Sequence, residues 1–178
     1  VERALQRLKE VRALSLSGVV SLPRELLLKC LEPARFPGVK AERLLSFVRA
    51  FDADFGGSWD LLKDRTTLES RRDWLLRIPG IGEETADSVL VYALGDPVFV
   101  VDAYTRRLLR RMGYTPLRWS NRPVQDLVRN ALGSSSEILG EFHALIVHHA
   151  KTVCLARAPR CEICAVVDLC AAGRSRLR

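Results

Sequence analysis

The sequence has 178 residues, of which 48% are hydrophobic and 28% are charged, and this balance excludes a disordered chain. The net charge of +7 favours a polyanionic partner such as nucleic acid. No apolar run reaches the roughly 18 residues that a membrane span needs, and the charged segment 1–10 is no signal peptide, so we expect a cytoplasmic protein.

Apolar residues recur at helical spacing along almost the whole chain, which predicts an all-α fold of many short helices. The first apolar stripe begins at Val1 without a capping residue, so we expect this chain to be a piece of a longer protein. Only the segment 98–101 (VFVV) is strand-like, and it is too short to form a sheet. The predicted helices cover residues 1–11, 26–31, 40–53, 58–63, 67–77, 83–94, 102–112, 122–132 and 137–152. Proline and glycine predict breaks between them at Pro33, Pro37–Gly38, Gly56–Gly57, Pro79–Gly80, 95–97, 113–116 and Gly133.

A tight corner is predicted where one helix runs into the segment 78–82 (IPGIG) and a second helix starts at once. Gly80 and Gly82 permit a sharp turn and a close approach to another surface. The free N–H groups at the start of the second helix form an anion site that suits a nucleic acid phosphate. An ordinary corner between two helices explains the same residues.

Asp102 follows a short apolar run and precedes a predicted helix, so capping that helix is its simplest role. Its surroundings also suggest chemistry, because it is the one acid among six arginines in residues 101–123. Beside these arginines the carboxylate stays ionised and is able to stabilise a developing cation or to activate water. The arginines are Arg106, Arg107, Arg110, Arg111, Arg118 and Arg122.

Four of the five cysteines crowd together near the C-terminus with spacings of 6, 2 and 5 residues, which predicts a metal centre. A tetrahedral zinc site and an iron–sulfur cluster both take four cysteines, and the spacing alone leaves both open. The four are Cys154, Cys161, Cys164 and Cys170. Cys30 stands apart, and we interpret it as a small buried hydrophobe. His143, His148 and His149 are interpreted as packing or surface groups.

The order of these features resembles the endonuclease III superfamily of DNA glycosylases. Ile78–Gly82 is similar to its helix-hairpin-helix, Val101–Asp102 to the step that bears its essential aspartate, and 141–170 to its iron–sulfur segment. The resemblance implies a two-lobed helical fold, with residues 1–97 in one lobe and 98–178 in the other. The hairpin then occupies about residues 70–94 of a first lobe that lacks its N-terminal helix, and the loop 154–170 holds a [4Fe–4S] cluster.

The resemblance also implies an activity in base excision repair. A damaged base is flipped out of double-stranded DNA, and Asp102 assists its departure. Bifunctional members use a lysine just after the hairpin to form a Schiff base with the sugar, and here that position is Glu84. Since no lysine lies between Lys63 and Lys151, we expect a monofunctional enzyme in which water attacks the sugar.

The resemblance further assigns DNA contacts and a substrate class. The expected contact residues are Pro79, Gly80, Ile81, Gly82 and Thr85 in the hairpin, and Lys151, Arg157 and Arg160 around the cluster loop. The segments 84–92 and 100–104 are closest to the 3-methyladenine glycosylase branch, which suits alkylated purines, with Tyr92 and Glu84 as candidate pocket residues. We expect a nucleoid-associated monomer. The alternatives are a bifunctional glycosylase/lyase for oxidised pyrimidines and a non-catalytic protein that binds DNA damage.

Overall fold

The structure is a computed structural model that describes residues 2–114 and 120–177. The chain divides into two compact units, residues 1–86 (the N-terminal unit) and 87–178 (the C-terminal unit). This division lies within a helix, whereas the sequence places the end of the first lobe at residue 97. None of the helices in the described ranges is long and apolar enough to cross a membrane.

The described residues form eleven α-helices and no β-strand, as the all-α prediction requires. The N-terminal unit contains α1 (Glu2–Glu10), α2 (Leu16–Ser21), α3 (Arg24–Leu31), α4 (Pro37–Phe55), α5 (Trp59–Asp64) and α6 (Leu68–Arg77). Helix α7 (Glu83–Tyr92) begins in this unit. The C-terminal unit contains α8 (Ala103–Met112), α9 (Asn121–Leu132), α10 (Ser136–Thr152) and α11 (Ala171–Leu177), with 3-10 turns at Cys161–Ile163 and Val167–Leu169.

Two short helices were not predicted from the sequence. Helix α2 has only six residues and includes Gly18, so its apolar periodicity is too brief to recognise. Ser15 nevertheless caps it, since its hydroxyl accepts a hydrogen bond from the N–H of Gly18. Helix α11 follows the last cysteine and is rich in small and basic residues, which give it little apolar pattern.

The predicted break at Pro37–Gly38 is wrong, because α4 begins at Pro37. The backbone N–H groups in the first turn of a helix have no partner within the helix. Proline has no N–H, so it fits at this position without losing a hydrogen bond. The predicted breaks at Gly56 and Gly113 are confirmed, since both residues end helices in the left-handed conformation that favours glycine.

The core of the N-terminal unit has an aliphatic part and an aromatic part. Leu8, Leu27 and Leu31 pack together with Cys30, which is 3% exposed and therefore the buried hydrophobe that the sequence predicted. The aromatic part gathers side chains from α4, α5 and α6. Its members are Phe47, Phe51, Phe55 and Trp74, and the exposed Trp59 packs at its edge.

The core of the C-terminal unit is built around the apolar run 98–101. This run forms neither a helix nor a strand, because its hydrophobic character reflects burial and no partner strand exists among the described residues. Phe99 is completely buried and packs with Val124 and Val128 of α9 and Leu139 of α10. The run therefore fixes the position of the residue that follows it, at the start of α8.

The predicted corner between α6 and α7 is present in the structure. Ile78 is buried, and its carbonyl oxygen accepts a hydrogen bond from the N–H of Ile81 at 3.1 Å, which closes the turn. Gly80 lies at φ +88°, a conformation that side chains disfavour, and a Cβ atom there would lie 2.4 Å from Cγ of Arg43. Gly82 has no such constraint, since a Cβ atom there meets nothing within 4 Å.

The two glycines give a matched test of this turn. Gly80→Ala should lower the free energy of unfolding by about 1–2 kcal/mol, because alanine is strained at positive φ and meets the Arg43 side chain. Gly82→Ala should change it by less than about 0.5 kcal/mol. Urea unfolding followed by circular dichroism measures both variants, and equal stabilities would contradict the assigned geometry.

Candidate functional site

Asp102 lies at the N-cap of α8, directly after the buried run 98–101. Its Oδ1 atom accepts a hydrogen bond from the backbone N–H of Thr105 at 2.7 Å. The residue is only 6% exposed, although carboxylates are rarely buried without partners. The capping role predicted for Asp102 is therefore confirmed, and the second carboxylate oxygen is left for another partner.

That second oxygen faces a histidine. Asp102 Oδ2 lies 3.5 Å from Nε2 of His143, a buried residue of α10. Burial raises the pKa of Asp102, but the interactions with His143 and the hydrogen bond from Thr105 outweigh it, so the pKa lies below its ordinary value. The carboxylate is consequently ionised at neutral pH.

Tyr92, at the end of α7, completes the arrangement on the other side of the histidine ring. Its hydroxyl lies 2.7 Å from Nδ1 of His143 and donates a hydrogen bond to the carbonyl oxygen of Gly140 at 3.0 Å. Partial burial raises the pKa of the Tyr92 hydroxyl, and the charges of Asp102 and Glu141 raise it further. Tyr92, His143 and Asp102 thus form one connected set, which we call the aspartate triad.

The sequence analysis did not connect His143 with Asp102. A signal was present, because His143 lies at helical spacing with Leu139, Ile146 and Ala150, all of which are buried. A titratable ring on the buried stripe of a helix needs a polar partner. The sequence alone gives no means of identifying that partner, which lies forty-one positions earlier at the start of α8.

A second buried acid supports the apolar run that precedes Asp102. Asp87 is completely buried and accepts a hydrogen bond from Nε2 of Gln125 at 2.9 Å. The same Gln125 amide donates to the carbonyl oxygen of Phe99 at 3.0 Å. Asp87 and Gln125 therefore tie α7 and α9 to the backbone three residues before Asp102.

The hairpin residues expected to touch DNA are mostly at the surface. Pro79, Gly80, Gly82 and Thr85 are exposed, whereas Ile81 is partly buried. Glu84 is exposed in the first turn of α7. Its neighbour Glu83 forms an ion pair with Arg72 of α6 at 3.3 Å, so one first-turn carboxylate is engaged by a cation of the preceding helix.

The four clustered cysteines line one cavity of about 360 Å³, and all are free thiols. Sγ of Cys154 accepts a hydrogen bond from Nη1 of Arg111 at 3.0 Å, and Sγ of Cys170 accepts one from the N–H of Gly173 at 3.3 Å. Among the described residues, no three His, Cys, Asp or Glu side chains converge on a single point suited to one metal ion. The four thiols instead lie on the walls of the cavity.

Two arginines of α8 hold the first turn of this cysteine loop. Arg107 donates to the carbonyl oxygens of Ala150 and Cys154 at 2.8 and 3.1 Å. Arg111 donates to the carbonyl oxygens of Leu155 and Ala156 at 2.8 and 2.9 Å. Ala150 lies in the last turn of α10 and the other carbonyls follow the end of this helix, where backbone acceptors lack helical partners, so the two guanidinium groups satisfy them.

The arginines of residues 101–123 have different roles in the structure. Arg107 and Arg111 stabilise the cysteine loop, Arg106 bonds to Asn121, and Arg122 pairs with Asp126 one helical turn later. Arg118 lies outside the described residues. Within the part of the chain that the structure describes, at least Arg107 and Arg111 are therefore engaged by backbone carbonyl groups rather than by Asp102.

The basic residues predicted to reach DNA from the cysteine loop lie at the surface. Arg157 and Arg160 are exposed, and Lys151 is exposed at the end of α10. The ammonium group of Lys151 lies 5.7 Å from the ring centre of Tyr104, and the guanidinium of Arg107 lies 5.2 Å from the same ring. Tyr104 thus positions Lys151 near the N-terminal turn of α8.

The two roles of Asp102 in the fold can be separated by substitution. Asp102→Ala removes the helix cap and should lower the free energy of unfolding by about 1 kcal/mol, whereas asparagine is as good a cap as aspartate. The pKa of Asp102 in the folded protein lies below its ordinary value of 3.8. The ionised carboxylate therefore stabilises the fold at any pH above 3.8, and this contribution to the free energy of unfolding is lost as the pH falls through the folded pKa.

Chemical unfolding from pH 7 down to pH 3 should therefore show two behaviours. The stability difference between wild type and Asp102→Asn should shrink towards the acid end, while the deficit of Asp102→Ala should persist in part because the missing cap is independent of charge. A difference between wild type and Asp102→Asn that grows as the pH falls would contradict the assigned ionisation.

Comparisons with known proteins agree with this architecture. No family model matches the chain. A protein of Methanocaldococcus jannaschii named as a DNA repair glycosylase is 36% identical over 171 residues, which cover 96% of this chain and 77% of that protein. Endonuclease III of Escherichia coli is 29% identical over 131 residues, or 74% of this chain. The matched region spans 56% of that relative's length.

Solved structures show the same fold. A non-covalent endonuclease III–DNA complex superposes with a TM-score of 0.77 at 23% identity and covers 98% of this chain and 76% of its own. The 3-methyladenine DNA glycosylase of Helicobacter pylori, bound to 1,N6-ethenoadenine, superposes with a TM-score of 0.69 at 28% identity. That match covers 84% of this chain and 75% of the other. On the archaeal relative and this shared fold, the chain belongs to the endonuclease III superfamily of DNA glycosylases.

Proposed function

We propose that this chain is a monofunctional DNA glycosylase that removes an alkylated purine from double-stranded DNA. The observation that carries the proposal is the ionised, buried carboxylate of Asp102 at the start of α8. A fixed negative charge in a site shielded from water stabilises a developing cation far more strongly than it would in bulk water.

The reaction follows from that charge. The bond between the sugar carbon and the base nitrogen breaks, and its electron pair leaves with the base. The sugar becomes cation-like, and the Asp102 carboxylate stabilises it. Water then bonds to the sugar carbon and transfers one proton to the carboxylate. The product is an abasic site in an uncut strand.

Water is the proposed nucleophile because the position after the hairpin is Glu84. A Schiff base needs an unprotonated amine, and a carboxylate cannot supply one. Glu84 is exposed in the first turn of α7, and the sequence contains no lysine between Lys63 and Lys151. The alternative, a lyase that uses a different amine, requires a nucleophile from outside this region.

Two surfaces are proposed to bind the DNA backbone. The exposed hairpin residues Pro79, Gly80, Gly82 and Thr85 present the start of α7, whose N–H groups suit a phosphate, and Ile81 anchors the turn. Lys151, Arg157 and Arg160 add positive charge beside the cysteine loop. Neither set reads base identity, which is consistent with an enzyme that searches DNA for damage.

An alkylated purine is the proposed substrate because the segments 84–92 and 100–104 are similar to the 3-methyladenine glycosylase branch, and the Helicobacter enzyme of that name shares this fold over 84% of the chain. Alkylation places positive charge on a purine and weakens its bond to the sugar, so less catalytic assistance is needed. Another relative, from Pyrobaculum aerophilum, is named a thymine/uracil-DNA glycosylase and is 25% identical over 170 residues. Uracil therefore belongs in any test of substrate range.

We also propose that the four cysteines hold a [4Fe–4S] cluster. They fit the group, because they surround a cavity of about 360 Å³ and two of their sulfur atoms accept N–H hydrogen bonds of the kind that stabilise cluster thiolates. A single zinc ion would need all four sulfurs at about 2.3 Å from one point. When bound, the cluster would cross-link the loop from Cys154 to Cys170.

Cluster binding has a direct test in protein purified without oxygen. The expected protein is yellow-brown, with iron and acid-labile sulfide in equal amounts, and Cys161→Ala should abolish both the colour and the sulfide. Cys30→Ala is the matched control, because Cys30 lies in the aliphatic core of the N-terminal unit and should leave the cluster intact. A colourless protein that contains zinc would overturn the assignment.

The reaction is tested with end-labelled duplexes that carry a methylated purine, uracil, thymine glycol or an abasic site, each analysed with and without hot alkali. We expect cleavage at the methylated purine only after alkali, which reports base removal without strand scission. Asp102→Asn should reduce base release at least a hundredfold, since it removes the charge and keeps the cap. Its affinity for the duplex should be unchanged.

The role of position 84 is tested in the same assay by restoring an amine. Glu84→Lys should form an adduct with abasic DNA that borohydride traps, whereas Glu83→Lys makes the same change of charge one residue away and should not. Nicking by the wild type without alkali would show a lyase and contradict the monofunctional assignment. Tight binding of lesions without release of any base would indicate a damage-binding protein.

A further inference from the structure

An arginine of α4 lies against the turn of the hairpin, residues 78–82. A Cβ atom on Gly80 would lie 2.4 Å from Cγ, 2.9 Å from Cδ and 3.0 Å from Nε of Arg43. Three successive atoms of the Arg43 side chain therefore run along the backbone of Gly80, where glycine leaves room for them. Both residues belong to the N-terminal unit, so this contact lies within one compact body.

The charge of Arg43 has no acidic partner among the residues that the structure describes. The preceding acid, Glu42, pairs with Arg24 instead. The positions one helical turn before and after Arg43 on α4 carry no acid, and they are Val39, Lys40, Ser46 and Phe47. The stem of Arg43 lies against the turn and the residue is exposed, so its guanidinium group is open to a ligand from solution.

The hairpin turn itself supplies no positive side chain. Residues 78–85 contain neither lysine nor arginine, and they end with two acids, Glu83 and Glu84. Glu83 pairs with Arg72 of α6 at 3.3 Å, which reduces the repulsion that a phosphate would meet here. A DNA backbone that approaches this turn still needs a cation from another element, and Arg43 brings one into contact with Gly80.

We propose that Arg43 binds a phosphate of the DNA backbone beside the hairpin turn, and that Gly80 holds it in place for this contact. The inference rests on the proposed role of the hairpin in binding DNA. A planar guanidinium donates two parallel N–H hydrogen bonds to the two free oxygens of one phosphodiester. Such a contact is the same at every base pair, so Arg43 adds affinity without reading sequence.

The packing on Gly80 also explains why an arginine at this position is effective. A long side chain in solution loses rotational freedom when its charged end binds a ligand, and this loss weakens binding. The stem of Arg43 is already held against the turn, so less freedom remains to be lost. The sequence alone does not reveal this residue, because Arg43 lies thirty-seven positions before Gly80 on another helix.

The salt dependence of DNA binding tests the contact. The full chain is bound to an undamaged duplex at a series of salt concentrations and followed by fluorescence anisotropy. Each phosphate that a protein neutralises adds about 0.9 to the slope of log affinity against log salt concentration. Arg43→Gln should therefore lower this slope by about one and weaken binding about tenfold. Arg43→Lys keeps the charge and should keep the slope.

Arg49→Gln is the matched control, because Arg49 is exposed on the same helix and the substitution removes the same charge. It should bind DNA with the affinity and slope of the wild type. Arg43→Met keeps a long stem over Gly80 without a charge, so it should behave as Arg43→Gln does. An unchanged slope in both Arg43→Gln and Arg43→Met, or an equal loss in Arg49→Gln, would refute the proposal.

Single-turnover base release separates this inference from the proposed function. With enough protein to bind all of the DNA, Arg43→Gln should release the base at the wild-type rate, because Arg43 contributes to binding alone. If the wild type binds DNA through Arg43 but releases no base, the proposed glycosylase activity fails and the inference stands. If the wild type releases a base and Arg43→Gln binds with the wild-type slope, the inference fails and the proposed function stands.

Discussion

The buried carboxylate of Asp102 is the interaction on which the C-terminal unit depends. One oxygen begins α8 by accepting the N–H of Thr105, and the other faces the His143 ring of α10. Burying a charge is costly unless its partners compensate for the lost water, and both of these partners are well placed to do so. The same two contacts that compensate for the burial of the carboxylate also fix its orientation.

Helix α8 extends this constraint to the cysteine loop. Asp102 lies at its first turn, and Arg107 and Arg111 lie along the following turns, where they bind carbonyl oxygens in the last turn of α10 and directly after it. Arg111 also reaches the sulfur of Cys154. A single helix of ten residues therefore connects the candidate catalytic carboxylate with the candidate cluster ligands, and helix α10 packs beside it.

The sequence predicted those elements whose signals are local. Apolar periodicity located the long helices, Gly56 and Gly113 marked helix ends, and the segment 78–82 predicted the corner between α6 and α7. Periodicity failed for α2 and α11 because each has too few turns. The prediction that the strand-like run 98–101 is too short for a sheet is confirmed, and its apolar character reflects complete burial, which produces the same pattern as a buried strand.

The candidate site was predictable only where its residues are adjacent in sequence. The spacing of the four cysteines predicted a metal centre, and the position of Asp102 after an apolar run predicted its role as a helix cap. The link from Asp102 to His143 and Tyr92 depends on how α7, α8 and α10 pack, which no local pattern encodes. The arginines likewise resembled a solvated cationic face, whereas two of them bind backbone carbonyl groups.

The N-cap position of Asp102 has a consequence for the fate of variants in a cell. Asparagine caps a helix as well as aspartate does, so a chain with Asp102→Asn keeps the start of α8. Cellular quality control removes chains according to how often they unfold, and it would leave such a chain at nearly normal abundance. If Asp102 acts in base removal as proposed, such a chain would be inactive yet still able to occupy damaged DNA, where it would shield lesions from other repair enzymes.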